Sequence, residues 1–130
     1  MYLETMLEDV LTAEERAVVA RARAFAEEHV GPNAARWEWE RRYPLEAIKA
    51  ACAIGLNTIE LAKRHGGQGH SFSCKLRAFE EIARYDFAFA FALINHHNAV
   101  ARFARDGQPS HVARLLPAMI AGDLIGCAGL

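Results

Sequence analysis

The sequence predicts an all-α domain, a bundle of about five to six helices that runs at its C-terminal end into the start of a β-strand. Three observations predict it. Apolar residues recur at helical spacing between recognisable caps and stops. The stretch DFAFAFALINHH, Asp86 to His97, continues its pattern through Val100, Phe103 and Ala104, outlasting the roughly 4–8 residues typical of a strand. Only LIGCAGL, Leu124 to Leu130, reads as the beginning of a strand.

Taken in order, Thr12 followed three positions later by Glu15 is a capping box, which satisfies two otherwise unpaired backbone donors. Behind it Val18, Ala22, Phe25 and Ala26 fall at helical spacing, and Gly31-Pro32 should stop the helix because proline lacks an amide hydrogen. A short helical piece through Ala35, Trp37 and Glu40 follows. Pro44 suits the first turn of a helix through Ile48 and Cys52, which Gly55 closes. Gly66, Gly67 and Gly69 mark a loop. Ser71 or Ser73 then caps a helix with Phe72, Leu76, Phe79 and Ile82 on one face. Asp86 caps the next, running toward Asp106-Gly107. Ser110 caps another with Val112, Leu115, Leu116 and Met119, which Pro117 should kink or split. Gly122-Asp123 is a turn.

The Phe-Ala alternation in DFAFAFALINHH imitates a strand, but alanine is itself apolar, so the run has no polar side. As a helix it stacks Phe87, Phe91, Ile94 and Asn98 on one side and Phe89 and Leu93 on another. A helix apolar nearly all round is expected to be central and fully surrounded.

Bulk properties exclude several functions. At 130 residues, 52% hydrophobic and 24% charged, the chain can bury roughly two-thirds of its unfolded surface without staples. Its net charge of -1 provides no footprint for nucleic acid or anionic lipid. The longest apolar run, Phe87 to Ile94, is far short of the about 20 residues that span a bilayer. The opening MYLETMLEDV has no basic region with an apolar run behind it, so no signal peptide is expected. Cys52, Cys74 and Cys127 are odd in number and widely spaced, which reads as buried reduced thiols in a cytoplasmic protein.

Residue spacing argues against metal binding, phosphate binding and nucleophilic catalysis. His96 and His97 point about 100° apart on a helix and cannot both face one ion, and no Glu-x-x-His pair exists for a di-iron site. No metal ligands are expected. HGGQGHS lacks the Gly-Lys-Ser/Thr of a phosphate loop and the third glycine of a dinucleotide fingerprint, leaving a turn between helices. No G-x-S-x-G elbow is present, and no catalytic residue is assigned. Trp37 and Trp39 among Arg36, Arg41 and Arg42 read as packing with a solvated rim.

Several segments, in order, resemble the acyl-CoA dehydrogenase family. LTAEERAVVARARAFAEEHVGPNAARWEWERRYPLEAIKAACAIGL resembles its opening, HGGQGHSF its Tyr-Gly-Gly-x-Gly loop, FEEIARYD its Glu-Glu-Ile-Ala-Arg helix, and LLPAMIAGDLIGCAGL its Leu-Pro-x-x-x-x-Gly stretch. The resemblance covers about Leu11 to Leu130 and implies a family fold of N-terminal helical domain, β-rich middle domain and C-terminal four-helix bundle. Residues 1–122 would be the helical domain and 123–130 the first strand of the middle one. It implies a flavoprotein of fatty acid metabolism, an oligomer, which desaturates acyl-CoA thioesters with FAD. It places Ala128 and Leu130 at flavin-adjacent positions, and Ala90, Phe91, Ile94 and Asn98 on the wall of the acyl pocket, where bulky Phe91 and Ile94 would shorten it.

The departures are Ala62 where the family has proline, His65 where it has tyrosine, and NHHN at Asn95 to Asn98. The family's Thr-Glu-Pro motif and its glutamate base, which belongs to the C-terminal part, have no counterpart in these 130 residues. The chain is therefore expected to be inactive alone and completed by middle and C-terminal domains or a partner chain. The alternatives are a non-catalytic helical module binding a partner protein, and a small acyl-binding helical protein.

Overall fold

The computed structural model describes residues 10–129. Among them are six α-helices, one π-helical turn and one 3-10 turn: α1 (Ala13–Phe25), the π turn (Ala26–Val30), α2 (Ala34–Glu40), α3 (Leu45–Ala53), the 3-10 turn (Lys63–His65), α4 (Phe72–Ala83), α5 (Phe87–Asp106) and α6 (Pro109–Ala121). They belong to two compact units, one of Met1–Tyr43 with His70–Ala90, the other of Pro44–Gly69 with Phe91–Leu130. None of the described helices is long and apolar enough to cross a membrane.

In the first unit α1 and α4 form the main packing pair. The capping box is present: Thr12 Oγ1 accepts from the Glu15 amide and Glu15 Oε2 accepts from the Thr12 amide, both at 3.1 Å. Glu15 also works across the pair, its Oε1 accepting the Ser71 amide at 2.8 Å, while Ser71 Oγ accepts the Cys74 amide to start α4. One carboxylate thus ties together two helix N-termini. Burial alone would raise its proton affinity, but the bonds from Ser71 and Thr12 outweigh that and hold it below the ordinary glutamate range. α1 continues through the π turn as far as Gly31, whose amide donates to Ala26 O. A Cβ on Gly31 would meet the Tyr85 ring at 2.8 Å, so space rather than conformation calls for glycine there.

The centre of this pair is ionic. Arg77 and Glu81 are each 1% exposed. Arg23 Nε and Nη2 donate to the two Glu81 oxygens, each at 3.0 Å. Arg77 Nη2 donates to Glu81 Oε1 at 2.9 Å, and its Nη1 to Glu80 Oε2 at 2.6 Å. The Arg23 bonds, opposed by burial and joined by Arg77, hold Glu81 below the ordinary glutamate range. This corrects the expected face of α4. The buried stripe runs through Cys74, Ala78, Glu81 and Ile82 with Phe79, while Phe72 is 62% and Leu76 37% exposed. Trp37 stacks on Phe89 at 5.5 Å, whereas Trp39 is 88% exposed.

In the second unit Leu61, Val100, Ala104, Leu116 and Met119 form a core between the loop before Gly66, α5 and α6. The glycine loop folds back on itself. The amides of Gly66, Gly67, Gln68 and Gly69 donate to the carbonyls of Lys63, Ala62, Thr58 and Leu61. A Cβ on Gly67 would fall 2.0 Å from Leu61 O. Amides consumed in this way cannot cradle a phosphate, which agrees with the reading of a structural turn.

Four expectations are corrected: the cap of α6, the split at Pro117, the surrounded α5 and the burial of all three thiols. Gln108, not Ser110, is the N-cap of α6, because Pro109 has its φ preset for the first helical position and draws the helix start toward it. α6 runs from Pro109 through Pro117 to Ala121 as one helix and is not split. The start of a strand expected over Leu124 to Leu130 is not seen among the described residues: 125–129 are irregular, and a strand exists only by ladder bonds to a partner strand. Helix α5 is not surrounded: Phe89, Ala90, Leu93, Val100 and Ala104 are buried, but Phe87 is 72% and Phe91 58% exposed. Cys52 and Cys74 are buried, their thiols pushed up by burial to about 11 and about 12 respectively, but Cys127 is exposed.

The ion network generates a test. Glu81→Gln removes the one buried negative charge that Arg23 and Arg77 share and is expected to cost about 3 kcal/mol, whereas Arg23→Ala, half-exposed, costs about 1 kcal/mol. A carboxylate depressed in the fold stabilises it above the unfolded group's value, and that stability is lost as pH falls through the folded value. Urea denaturation from pH 7 down to pH 3 should show the acid loss reduced in Glu81→Gln; an unchanged midpoint at pH 7 would sink the role given to Glu81.

Candidate functional site

The candidate site lies in the second unit, where the last described residues pass over α5. Its anchor is His96, which is fully buried. The Gly126 amide donates to His96 Nδ1 at 3.0 Å, so Nδ1 carries no proton. The neutral ring then bears its hydrogen on Nε2, which lies 3.0 Å from Met119 O and donates to it. Asn57 secures the same end of α6, its Nδ2 donating to Met119 O at 3.3 Å and Ile120 O at 3.0 Å. Its 3.4 Å approach to His96 Nε2 is donor against donor in this tautomer and adds no bond. Burial lowers the proton affinity of His96, with the Met119 bond opposing more weakly, so the imidazole is held neutral.

His97 turns to a different partner, accepting the Glu60 amide at Nε2 over 3.3 Å. The paired histidines brace two separate backbone segments.

Close packing completes the anchor. A Cβ on Gly126 would meet Ala99 Cβ at 2.7 Å and Met119 Cε at 3.0 Å. Gly122 caps α6 at φ 78°, and its amide donates to Met119 O. Asp123 then forms an ion pair with Lys49 of α3. The chain leaves α6 along a fixed path and is pinned at Gly126.

Between this segment and α5 lies an open cleft of about 790 Å³. Asn95, Asn98, Arg102 and Phe103 form one wall, and Gly126 to Gly129 the other. Of the anticipated site residues, the structure brings Asn98 and Ala128 into this cleft together. Phe91 and Ile94 lie on α5 outside its lining, Phe91 exposed and Ile94 half-buried, and Ala90 is buried in the first unit. Leu130 lies outside the described residues.

Asn57 and Gly126 were not anticipated. Asn57 belongs to an irregular stretch with no periodicity to mark it, and its partners are 62 and 63 residues away. Gly126 interrupts an apolar run, a signal for close backbone approach that the strand reading absorbed.

Residues 12–123 match the family model described as acyl-CoA dehydrogenase, N-terminal domain. The chain is 29% identical over 121 residues to the short-chain specific acyl-CoA dehydrogenase of Clostridium acetobutylicum, covering 92% of this chain and 32% of that one. It is 37% identical over 76 residues to a probable acyl-CoA dehydrogenase of Mycobacterium leprae, covering 58% of this chain and 20% of the other. The chain thus spans between a fifth and a third of the length of these relatives. Butyryl-CoA dehydrogenase from Megasphaera elsdenii shares the fold, with a TM-score of 0.79 at 21% identity, covering 89% of this chain and 31% of that one.

Gly126→Ala tests the geometry of the cleft's second wall. The added methyl is expected to destabilise by about 1–3 kcal/mol, as overpacking does. Pairing it with Ala99→Gly removes the clash, so a double-mutant cycle by urea denaturation should show a coupling of at least about 1 kcal/mol. Simple additivity would mean that Gly126 does not pack on Ala99.

Proposed function

This chain belongs to the acyl-CoA dehydrogenase family, in its N-terminal domain, and from that premise we propose that it supplies the helical wall of the acyl pocket in a flavoprotein that desaturates acyl-CoA thioesters. The observation that carries the reading is the cleft in which Asn98 of α5 faces the segment bearing Ala128. The face of α5 that continues from Asn98 through Ile94, Phe91 and Ala90 would extend the wall, with the two bulky side chains limiting the length of acyl chain admitted.

FAD is the cofactor this reading implies, and the chain's residues fit one edge of it. Gly126, Ala128 and Gly129 carry at most a methyl group, and a Cβ on Gly129 would meet no atom within 4 Å, so a planar ring could approach the backbone. Bound there, the flavin would accept the hydride removed from the β-carbon of the thioester. The chain's own residues would hold the acyl group, keep it from water and present the 126–129 backbone. Residues 1–122 would form the helical domain and 123–130 would lead into a strand of a middle β-domain; the glutamate base and most flavin contacts would come from middle and C-terminal domains, in an oligomeric assembly.

The chain by itself should purify colourless and leave acyl-CoA unchanged. Replacing the helical domain of the Clostridium acetobutylicum relative with residues 1–130 should give a hybrid that binds FAD and bleaches on adding an acyl-CoA thioester, with Phe91→Ala shifting preference toward longer chains. Stoichiometric FAD on the isolated chain would overturn the division of labour. A folded hybrid that binds FAD but is not bleached by any straight-chain acyl-CoA would favour a non-catalytic helical module.

A further inference from the structure

We infer that His96 is the positioning residue of the cleft: its neutral Nε2–H imidazole latches Gly126, and through it Ala128, against α5, and protonation opens the latch. The role assigned to Ala128 rests on the function proposed above; the latch itself rests on geometry alone.

The argument is an account of donors and acceptors. Two backbone groups converge on the buried ring, a donor at Gly126 and an acceptor at Met119, each at 3.0 Å. Only the Nε2–H tautomer matches both. A proton added to Nδ1 would set two N–H donors against each other at 3.0 Å on a fully buried ring, at the cost of a lost hydrogen bond and a desolvated charge. The relief available is movement of the segment that carries Gly126. Residues 125–129 make no ladder among the described residues, so Gly126 is held by this bond and by its packing on Ala99, while Met119 lies within α6.

The charged or titratable groups on the surrounding elements do not replace His96 in this role. Glu60, on the loop, meets α5 through its amide at His97. Asp123 is paired with Lys49 at the surface, and Cys127 is exposed. What acts on the ring is burial, opposed by the Met119 carbonyl. The latch is thus closed above the ordinary histidine value and opens as pH falls toward the depressed folded value.

The test uses the chain as it stands and needs no flavin. Long-range 1H–15N correlation should show His96 with the proton on Nε2 and Nδ1 bare at pH 7.5. Exchange protection of the Gly126 amide, corrected for intrinsic rate, should fall by up to about tenfold per pH unit as the ring titrates, since one unit of differential protonation is a tenfold shift in equilibrium. His96→Gln keeps one acceptor and one donor but cannot titrate; its Gly126 protection should persist at pH 7.5 and lose that pH dependence.

A proton on Nδ1 in the wild-type chain would overturn the latch without any variant having to fold. So would a Gly126 amide indifferent to the titration of His96, or the same pH dependence in His96→Gln. If the latch holds while the hybrid enzyme fails to bind flavin, the functional reading is at fault and the positioning role stands.

Discussion

Glu81 is 1% exposed with both carboxylate oxygens bonded to guanidinium groups, and His96 is fully buried with both ring nitrogens bonded to backbone. Each unit of the chain is arranged around one such group. A buried carboxylate or imidazole costs several kcal/mol unless its hydrogen-bonding capacity is used, so its partners cannot drift. In the first unit that requirement draws Arg23 of α1 onto α4 and decides which stripe of α4 turns inward. In the second it fixes the end of α6 and the path of the chain beyond it. Apolar burial supplies the driving force in both, but it is non-directional; the directional bonds select one register among the packings that Leu, Val and Ala would allow.

That division of labour explains what could be read from the sequence. Local punctuation was legible: the Thr12–Glu15 box, Ser71, Asp86 and the stops at Gly55 and Gly122 all act within four residues, and the structure has each. Errors came where a longer-range term outweighed a local pattern. Phe72 and Leu76 are the natural apolar stripe of α4 until Arg77 and Glu81 claim the inside. Phe87 and Phe91 look like core until α5 proves to be buried on one side only. The terminal apolar run is a different case: its composition suits a strand, a strand is a property of a pair, and no partner strand is present among the described residues.

The candidate site divides along the same line. Asn98 and Ala128 were reached through the resemblance of ordered segments, and nothing in their own chemistry singles them out. His96 is conspicuous in sequence as half of a histidine pair, but its role depends on Gly126 and Met119, 30 and 23 residues away. Asn57, which shares Met119 O with His96 and also grips Ile120 O, carries no local signal. The metal question and the latch question turn on one fact: adjacent helical residues diverge by about 100°, so His96 meets α6 and the terminal segment while His97 meets the loop at Glu60.

The composition of the terminal segment follows from having to serve two neighbours at once. Toward α5 it must come close enough for its amide to reach His96, which Gly126 permits because Ala99 and Met119 leave no room for a Cβ. Beyond Gly126, Cys127, Ala128 and Gly129 are exposed and line the open cleft, with side chains too small to hide the backbone. An exposed backbone edge with small side chains is a surface suited to pairing or to close approach by a flat ligand. A segment pinned by one amide and open along the rest can accept such a neighbour without loosening the helices, because the bond that holds it is made at Gly126, before the exposed residues. Anchoring by a side chain buried in α5, instead of by a ladder within the helical domain, is what leaves that edge available.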